Sequence, residues 1–105
     1  MNQEELLQLI EQAAEDRREK LDLEYQGLTE LPEVIGKLKN LTTLDLSQNH
    51  ISTIPDAIAE LENLTTLNLT GNKIRVIPRS ITELKNLTEL YLSANMISEI
   101  PKEIA

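Results

Sequence analysis

The sequence predicts an α/β solenoid, in which short units of equal length stack side by side and share one hydrophobic core. The first observation is that all four prolines of the 105-residue chain, Pro32, Pro55, Pro78 and Pro101, recur with a sequence period of 23. The second is that leucine and isoleucine recur on the same period and supply 30 of the 42 hydrophobic residues. A fixed period of this size is the sequence signature of stacked repeats.

Within one unit the pattern predicts a short strand, a turn and a short helical segment. The unit from Leu41 to Asn63 reads LTTLDLSQNHISTIPDAIAELEN. The alternation around Leu44 and Leu46 has the period of a strand with one buried face. Pro55 then fixes φ at about −65° and opens a helical or 3₁₀ segment. We expect the strands to form a parallel sheet on the concave face and the helical segments to lie on the convex face.

One asparagine in each unit, Asn49, Asn72 and Asn95, follows the strand where the chain must turn, and Gln26 takes the corresponding place in the first unit. A short amide side chain can bond backbone groups at a sharp turn that no neighbouring strand satisfies. The spacing therefore predicts a ladder of buried amides.

Residues 1–17 do not follow the repeat and are predicted to form a capping helix. Their apolar residues lie largely on one helical stripe, made of Leu6, Leu7, Leu9, Ile10, Ala13 and Ala14. The open end of a solenoid requires such a cover. The acidic residues of this segment argue against a helix that lies on a membrane surface. Residues 18–105 then form four repeats with a period of 23, the first atypical and the last incomplete.

The last repeat ends at Ala105, before its period is complete. We expect Ile97, Ile100 and Ile104 to form a self-association edge, because no later unit of this sequence covers them. The alternatives are a homodimer through this edge and a fragment of a longer array.

The units match the L-x-x-L-x-L-x-x-N-x-[LI] pattern of the leucine-rich repeat over residues 18 to 105. The stretch ELLQLIEQAAEDRREKLDLEYQGLTELPEVIGKL and the repeat end I-P-x-x-I-x-x-L-x-N-L resemble the N-terminal repeats of bacterial, especially cyanobacterial, Roco-type leucine-rich-repeat proteins. This resemblance implies an intracellular scaffold that binds proteins. The sequence contains no GTPase motif, so the resemblance does not extend to GTP hydrolysis. The regularity of the repeats also fits a truncated or engineered chain.

Charge and composition exclude several classes of function. The net charge of −8 argues against nucleic-acid binding, which depends on clustered Lys and Arg. The absence of cysteine excludes disulfides and thiolate zinc sites. No apolar run approaches the roughly 20 residues of a membrane span. The opening segment MNQEELLQLIEQAAEDRREK is acidic where a signal peptide is basic, so we expect a cytoplasmic protein.

The sequence offers little for catalysis, and we expect no enzyme, no cofactor and no metal. His50 is the only histidine, and a general base or metal site needs further groups around it. Asp22 and Asp45 occupy equivalent strand positions, which predicts carboxylates about 5 Å apart on an open face. An acidic-groove hydrolase is therefore the least favoured interpretation, because catalysis benefits from an enclosed site.

The favoured interpretation is a scaffold that binds a protein partner through the concave strand face. The alternative is a self-associating structural fragment whose main contact is the C-terminal edge. The predicted contact residues are those that alternate with the inward leucines: Lys20, Asp22, Glu24, Thr43, Asp45, Ser47, Thr66, Asn68, Thr70, Glu89, Tyr91 and Ser93. Tyr91 is the one large aromatic residue among them, and aromatic residues often anchor interfaces.

Overall fold

The computed structural model describes residues 1–99 and 101. One α-helix, α1, spans Gln3–Glu15. Four strands follow it: β1 (Lys20–Asp22), β2 (Thr43–Asp45), β3 (Thr66–Asn68) and β4 (Glu89–Tyr91). Three 3₁₀ helices lie between them, at Glu33–Lys37, Asp56–Glu60 and Arg79–Glu83.

The four strands form one parallel sheet in chain order, β1-β2-β3-β4. Residues one sequence period apart pair across every junction, as Leu21 does with Leu44, and Leu67 with Leu90. The parallel sheet predicted from the repeat is confirmed. The central leucines of the first three strands point into the core and are buried. The residues on either side of each central leucine point outward.

Each 3₁₀ helix begins directly after a proline. Pro32, Pro55 and Pro78 have φ between −73° and −70°. The carbonyl of each proline accepts the first hydrogen bond of the helix, for example from Ile58 N to Pro55 O at 3.1 Å. The isoleucine that donates this bond is buried in the core in each unit. The proline thus fixes the point where the chain turns back along the convex side.

Helix α1 covers the first unit of the stack. Asn2 and Glu5 form a capping box at its start, with Glu5 N donating to Asn2 Oδ1 at 2.8 Å. Leu6, Ile10 and Ala13 are buried. Leu7, which the sequence placed on the apolar stripe, is instead 38% exposed, because it is rotated by about 100° from Leu6 around the helix axis. No helix in the described part of the chain has both the length and the apolar character needed to cross a bilayer.

The edge predicted to self-associate is described only in part. Ile97 is half-buried, and it packs against the core. Ile100 and Ile104 lie outside the described residues.

The turn after each strand has a residue in the left-handed conformation at one repeat position, and the first turn has a second such residue, Gly27. Tyr25, Gln48, Gly71 and Ala94 have φ between +56° and +73°, and they recur with the period of the repeat. This conformation costs an L-residue about 1–2 kcal/mol, whereas glycine adopts it readily. Of the four units, only the third therefore has its turn without this strain.

We expect Gly71→Ala to lower the free energy of unfolding by about 1–2 kcal/mol, since a methyl group adds the left-handed strain at this turn. The new Cβ would also lie 2.7 Å from the side-chain oxygen of Gln48, which must move. Ala94→Gly relieves the same strain and is expected to stabilise by less than about 1 kcal/mol, because glycine loses more chain entropy on folding. Urea denaturation measures both changes, and equal midpoints for Gly71→Ala and wild type would contradict the expectation.

Candidate functional site

The sheet presents three rows of side chains on its outward side, and we call these rows the concave face. The strands are about 4.8 Å apart, so four of them make a surface roughly 15 Å wide. The first two rows come from the first and third positions of each strand, and the third row from two residues further along the chain. The rows are Lys20, Thr43, Thr66 and Glu89; Asp22, Asp45, Asn68 and Tyr91; and Glu24, Ser47, Thr70 and Ser93.

Ser47 is the one residue of these rows that is buried, with 4% of its surface exposed. Its hydroxyl donates to Asp45 Oδ1 at 2.6 Å, and its backbone N–H donates to the same oxygen at 2.9 Å. Ser47 therefore offers a partner little contact surface, and its contact with a partner stays a prediction. Ser47 fixes the orientation of the Asp45 carboxylate instead.

The Asp45 contact belongs to a series that the sequence analysis missed. Asp22 Oδ1 accepts from Glu24 N at 3.0 Å, and Asn68 Oδ1 accepts from Thr70 N at 3.0 Å. Asp and Asn are the residues whose short side chains bond the backbone two residues on. Their recurrence at the end of three strands was the available signal. Tyr91 occupies the same position in β4, where its phenol cannot form this short contact.

The acidic groups of the concave face gather at its β1–β2 end. Carboxylate oxygens of Asp22, Glu24 and Asp45 lie within 4.8 Å of one another, in agreement with the short distance expected from the strand register. Exposed groups of this kind are common in proteins without any ion. The carboxylates stand on an open surface, so the geometry gives no support to the hydrolase alternative.

The opposite end of the concave face is formed by β3 and β4. Tyr91 is 47% exposed there. Thr66 Oγ1 donates to Glu89 Oε2 at 3.1 Å, which ties the outward side chains of the two strands together. The surface thus changes from carboxylates at β1 and β2 to an aromatic ring at β4.

The three asparagines after the strands point into the stack, away from the concave face. Asn72 Nδ2 donates to Leu46 O at 2.9 Å and to Leu69 O at 3.0 Å, and its Oδ1 accepts from Ile51 N at 3.0 Å. Asn49 makes the corresponding contacts one unit earlier, and both are buried. Asn95 repeats them in the fourth unit but is half-buried. These amides join each unit to the one before it.

His50 lies exposed on the turn edge, in a shallow groove of about 520 Å³. The described side chains that line this groove include Tyr25, Lys73 and Met96 but no carboxylate. The groove therefore offers His50 no acidic partner for proton transfer.

Comparison with known proteins gives the same architecture. The sequence model of the family described as "Leucine-rich repeat region" matches residues 19–104. The structure of the Leptospira interrogans LRR protein LIC12759 is 43% identical, with a TM-score of 0.80 over 90% of this chain and 24% of that chain. The leucine-rich repeat domain of the type III effector XCV3220 (XopL) is 27% identical, with a TM-score of 0.83 over 94% of this chain and 34% of that chain.

The chain therefore spans about a quarter to a third of the length of these two solved structures. No curated protein matches it.

Proposed function

The chain belongs to the leucine-rich repeat family, and from that premise we propose that it is a binding module that holds a protein partner on its concave face. Family and fold are typical of scaffolds that bind other proteins without catalysis. The observation that carries the proposal is the exposure of polar and aromatic side chains on a sheet whose strands are paired in register. The outward residues of such a sheet can be substituted without altering the buried leucines that hold the strands in place.

Tyr91 is proposed as the anchor of the contact. Its ring stands on a strand, and a rigid aromatic side chain contributes large contact area with little loss of entropy. Truncating an anchor of this type typically costs about 1–4 kcal/mol of binding free energy.

The carboxylates of Asp22, Glu24 and Asp45 define the other half of the proposed contact. They are held close together at the β1–β2 end, where Lys20 is the one basic residue of the three rows. Charge complementarity then favours a partner that brings Lys or Arg to this end and an apolar side chain to Tyr91. Binding should accordingly weaken as salt is added.

The experiment places a photoactivatable phenylalanine analogue at each tyrosine in turn. The chain has two tyrosines, Tyr91 on the concave face and Tyr25 on the turn edge, where it is 71% exposed. We expect a protein partner to crosslink through position 91 but not through position 25. Against the captured partner, Tyr91→Ala should raise Kd by at least about tenfold. Tyr25→Ala should change Kd less than about twofold, since it lies outside the contact.

Crosslinking through position 25 alone would contradict the proposal and move the contact to the turn edge. If Tyr91→Ala binds the partner with unchanged affinity, Tyr91 is not the anchor of the contact.

A further inference from the structure

A groove with a basic rim lies at the amino ends of β1 and β2, where α1 ends beside the first 3₁₀ helix. It has a volume of about 230 Å³ and is lined by the apolar residues Ala13, Ala14 and Leu38. Its exposed rim is formed by four basic side chains: Arg17, Arg18, Lys37 and Lys39. The described side chains that line the groove include no carboxylate, although the chain has 18 acidic and only 10 basic residues.

The end of α1 fixes the backbone of Arg17 and Arg18. Arg17 N donates to Ala14 O at 3.2 Å, and Arg18 N donates to Ala13 O at 3.1 Å. With Arg17 at a φ of 53°, these contacts make a Schellman motif, in which glycine is the usual residue at the left-handed position. Glycine adopts this conformation more readily than arginine does. The backbone of the motif therefore does not explain why this position carries a positive charge.

Lys37 and Lys39 reach the groove from a different segment, since 20 residues separate Arg17 from Lys37 in the sequence. Lys37 is the last residue of the 3₁₀ helix Glu33–Lys37. A basic residue at a helix end can compensate the helix dipole. The next two 3₁₀ helices, however, end at the equivalent residues Glu60 and Glu83. The fold therefore does not require a lysine at this position.

Ion pairs neutralise little of this charge. Among residues 1–99 and 101 the one ion pair is between Lys39 Nζ and Glu60 Oε1, at 3.5 Å. The carboxylate of Asp16, which directly precedes the two arginines, accepts from Gln12 Nε2 at 3.1 Å instead. The remaining three cations of the rim are thus available to a ligand. A cleft lined by one sign of charge raises the local concentration of ligands of the opposite sign.

Asn40 adds a neutral donor to the groove. Its counterparts in the next two units bond the preceding unit: Asn63 Nδ2 donates to Lys39 O and Asn86 Nδ2 to Glu62 O, both at 2.8 Å. In the part of the chain that the structure describes, Asn40 makes no such bond, and it lines the groove. Its amide can therefore donate to an incoming carboxylate.

We propose that this groove binds a short acidic peptide segment, with Asp or Glu carboxylates held between the two arginines and Lys37. The volume of about 230 Å³ lies below the roughly 300–1,000 Å³ of small-molecule pockets, which favours a few side chains of a larger ligand as the occupant. The exposed residues Glu11 and Glu15 of α1 repel a long polyanion such as a nucleic acid outside the groove. The groove is separate from the three rows of the concave face, so this binding goes beyond the function proposed above.

Fluorescence anisotropy with a short labelled peptide of Glu and Asp tests the proposal, and a peptide of Gln and Asn with the same length is the control. We expect a Kd in the micromolar range for the acidic peptide, rising with added salt, and no saturable binding of the amide peptide. Arg17→Gln/Arg18→Gln should raise Kd at least about fivefold.

The matched control is Lys73→Gln/Arg75→Gln, which makes the same change of net charge away from the groove and should raise Kd less than about twofold. Circular dichroism shows whether each variant is folded. Equal effects of the two double variants would overturn the proposal, because the peptide would then respond to net charge alone. Absence of saturable binding to the wild-type chain, or tighter binding of a single-stranded oligonucleotide than of the acidic peptide, would also overturn it.

A variant expected to bind more tightly provides an independent test. Glu60 competes with a ligand for Lys39, so Glu60→Gln should lower the peptide Kd about twofold. Glu62→Gln makes the same change of net charge without touching this ion pair and should have a smaller effect. Equal effects would contradict the participation of Lys39. Tyr91→Ala should leave the peptide Kd unchanged, so these measurements and the crosslinking experiment can fail separately.

Discussion

Leu6→Ala is expected to lower the free energy of unfolding by about 2–5 kcal/mol, the range for truncating a large buried side chain. Leu6 and Ile10 are fully buried and pack α1 onto the first unit. A domain of this size has roughly 5–15 kcal/mol of stability in total, so the truncation removes a large share of it. Urea denaturation followed by circular dichroism measures the loss, and Ile10→Ala should give a loss in the same range.

Leu7→Ala is the matched control, because Leu7 lies on the same helix with 38% of its surface exposed. Its effect should stay within about 0.5 kcal/mol, as for most surface substitutions. Deletion of residues 1–17 should leave a chain that unfolds or aggregates. If Leu6→Ala and Leu7→Ala have the same midpoint, α1 does not act as a cap, and a role in binding a partner becomes the better explanation.

Asn72→Ala is expected to cost about 1–3 kcal/mol, because it leaves the buried Ile51 N–H without a hydrogen-bond partner and removes one of the hydrogen bonds to each of two carbonyls. The Asn72 side chain donates hydrogen bonds to Leu46 O and Leu69 O and accepts one from Ile51 N. Asn72 is 6% exposed. Alanine makes none of these hydrogen bonds. The denaturation midpoint of the variant should fall with little change in the slope of the transition.

Two other asparagines provide a graded comparison. Asn95 makes the same contacts in a half-buried position, where water can replace part of them. Asn63 is exposed and donates one hydrogen bond, to Lys39 O at 2.8 Å. We expect the loss on replacement with alanine to be largest for Asn72, smaller for Asn95 and smallest for Asn63. Equal losses at Asn72 and Asn63 would show that burial of the ladder is not the source of its contribution.

The architecture could be predicted because its information is repeated along the chain. A single sequence period determines which residues pair across strands, so the register of Leu21, Leu44, Leu67 and Leu90 follows from the sequence. The prolines and the alternation around each leucine then locate the 3₁₀ helices and the buried face. Each of these signals occurs three or four times, and they agree.

The surface could not be predicted as well as the core, because most outward positions carry a different residue in each unit and so give no repeated signal. Alternation correctly predicts which side chains of a strand point outward. Ser47 lies just past β2, where alternation no longer applies, and its side-chain orientation is set by the hydrogen bond to Asp45. Leu7 shows the same limit on α1, since a stripe of six apolar residues is wider than the contact that buries it. The cytoplasmic location and the resemblance to Roco-type proteins stay predictions.

The asparagine ladder also bears on how such a chain can lengthen in evolution. The side-chain oxygen of Asn49 accepts a backbone N–H from the turn of the preceding unit, and Asn72 and Asn95 do the same for the units before them. A tandem duplication of the codons for one unit would therefore insert a unit that completes its predecessor and is completed by its successor. No neighbouring residue has to mutate first. Arrays can grow by single genetic events, and selection can then diversify the outward residues of each new copy.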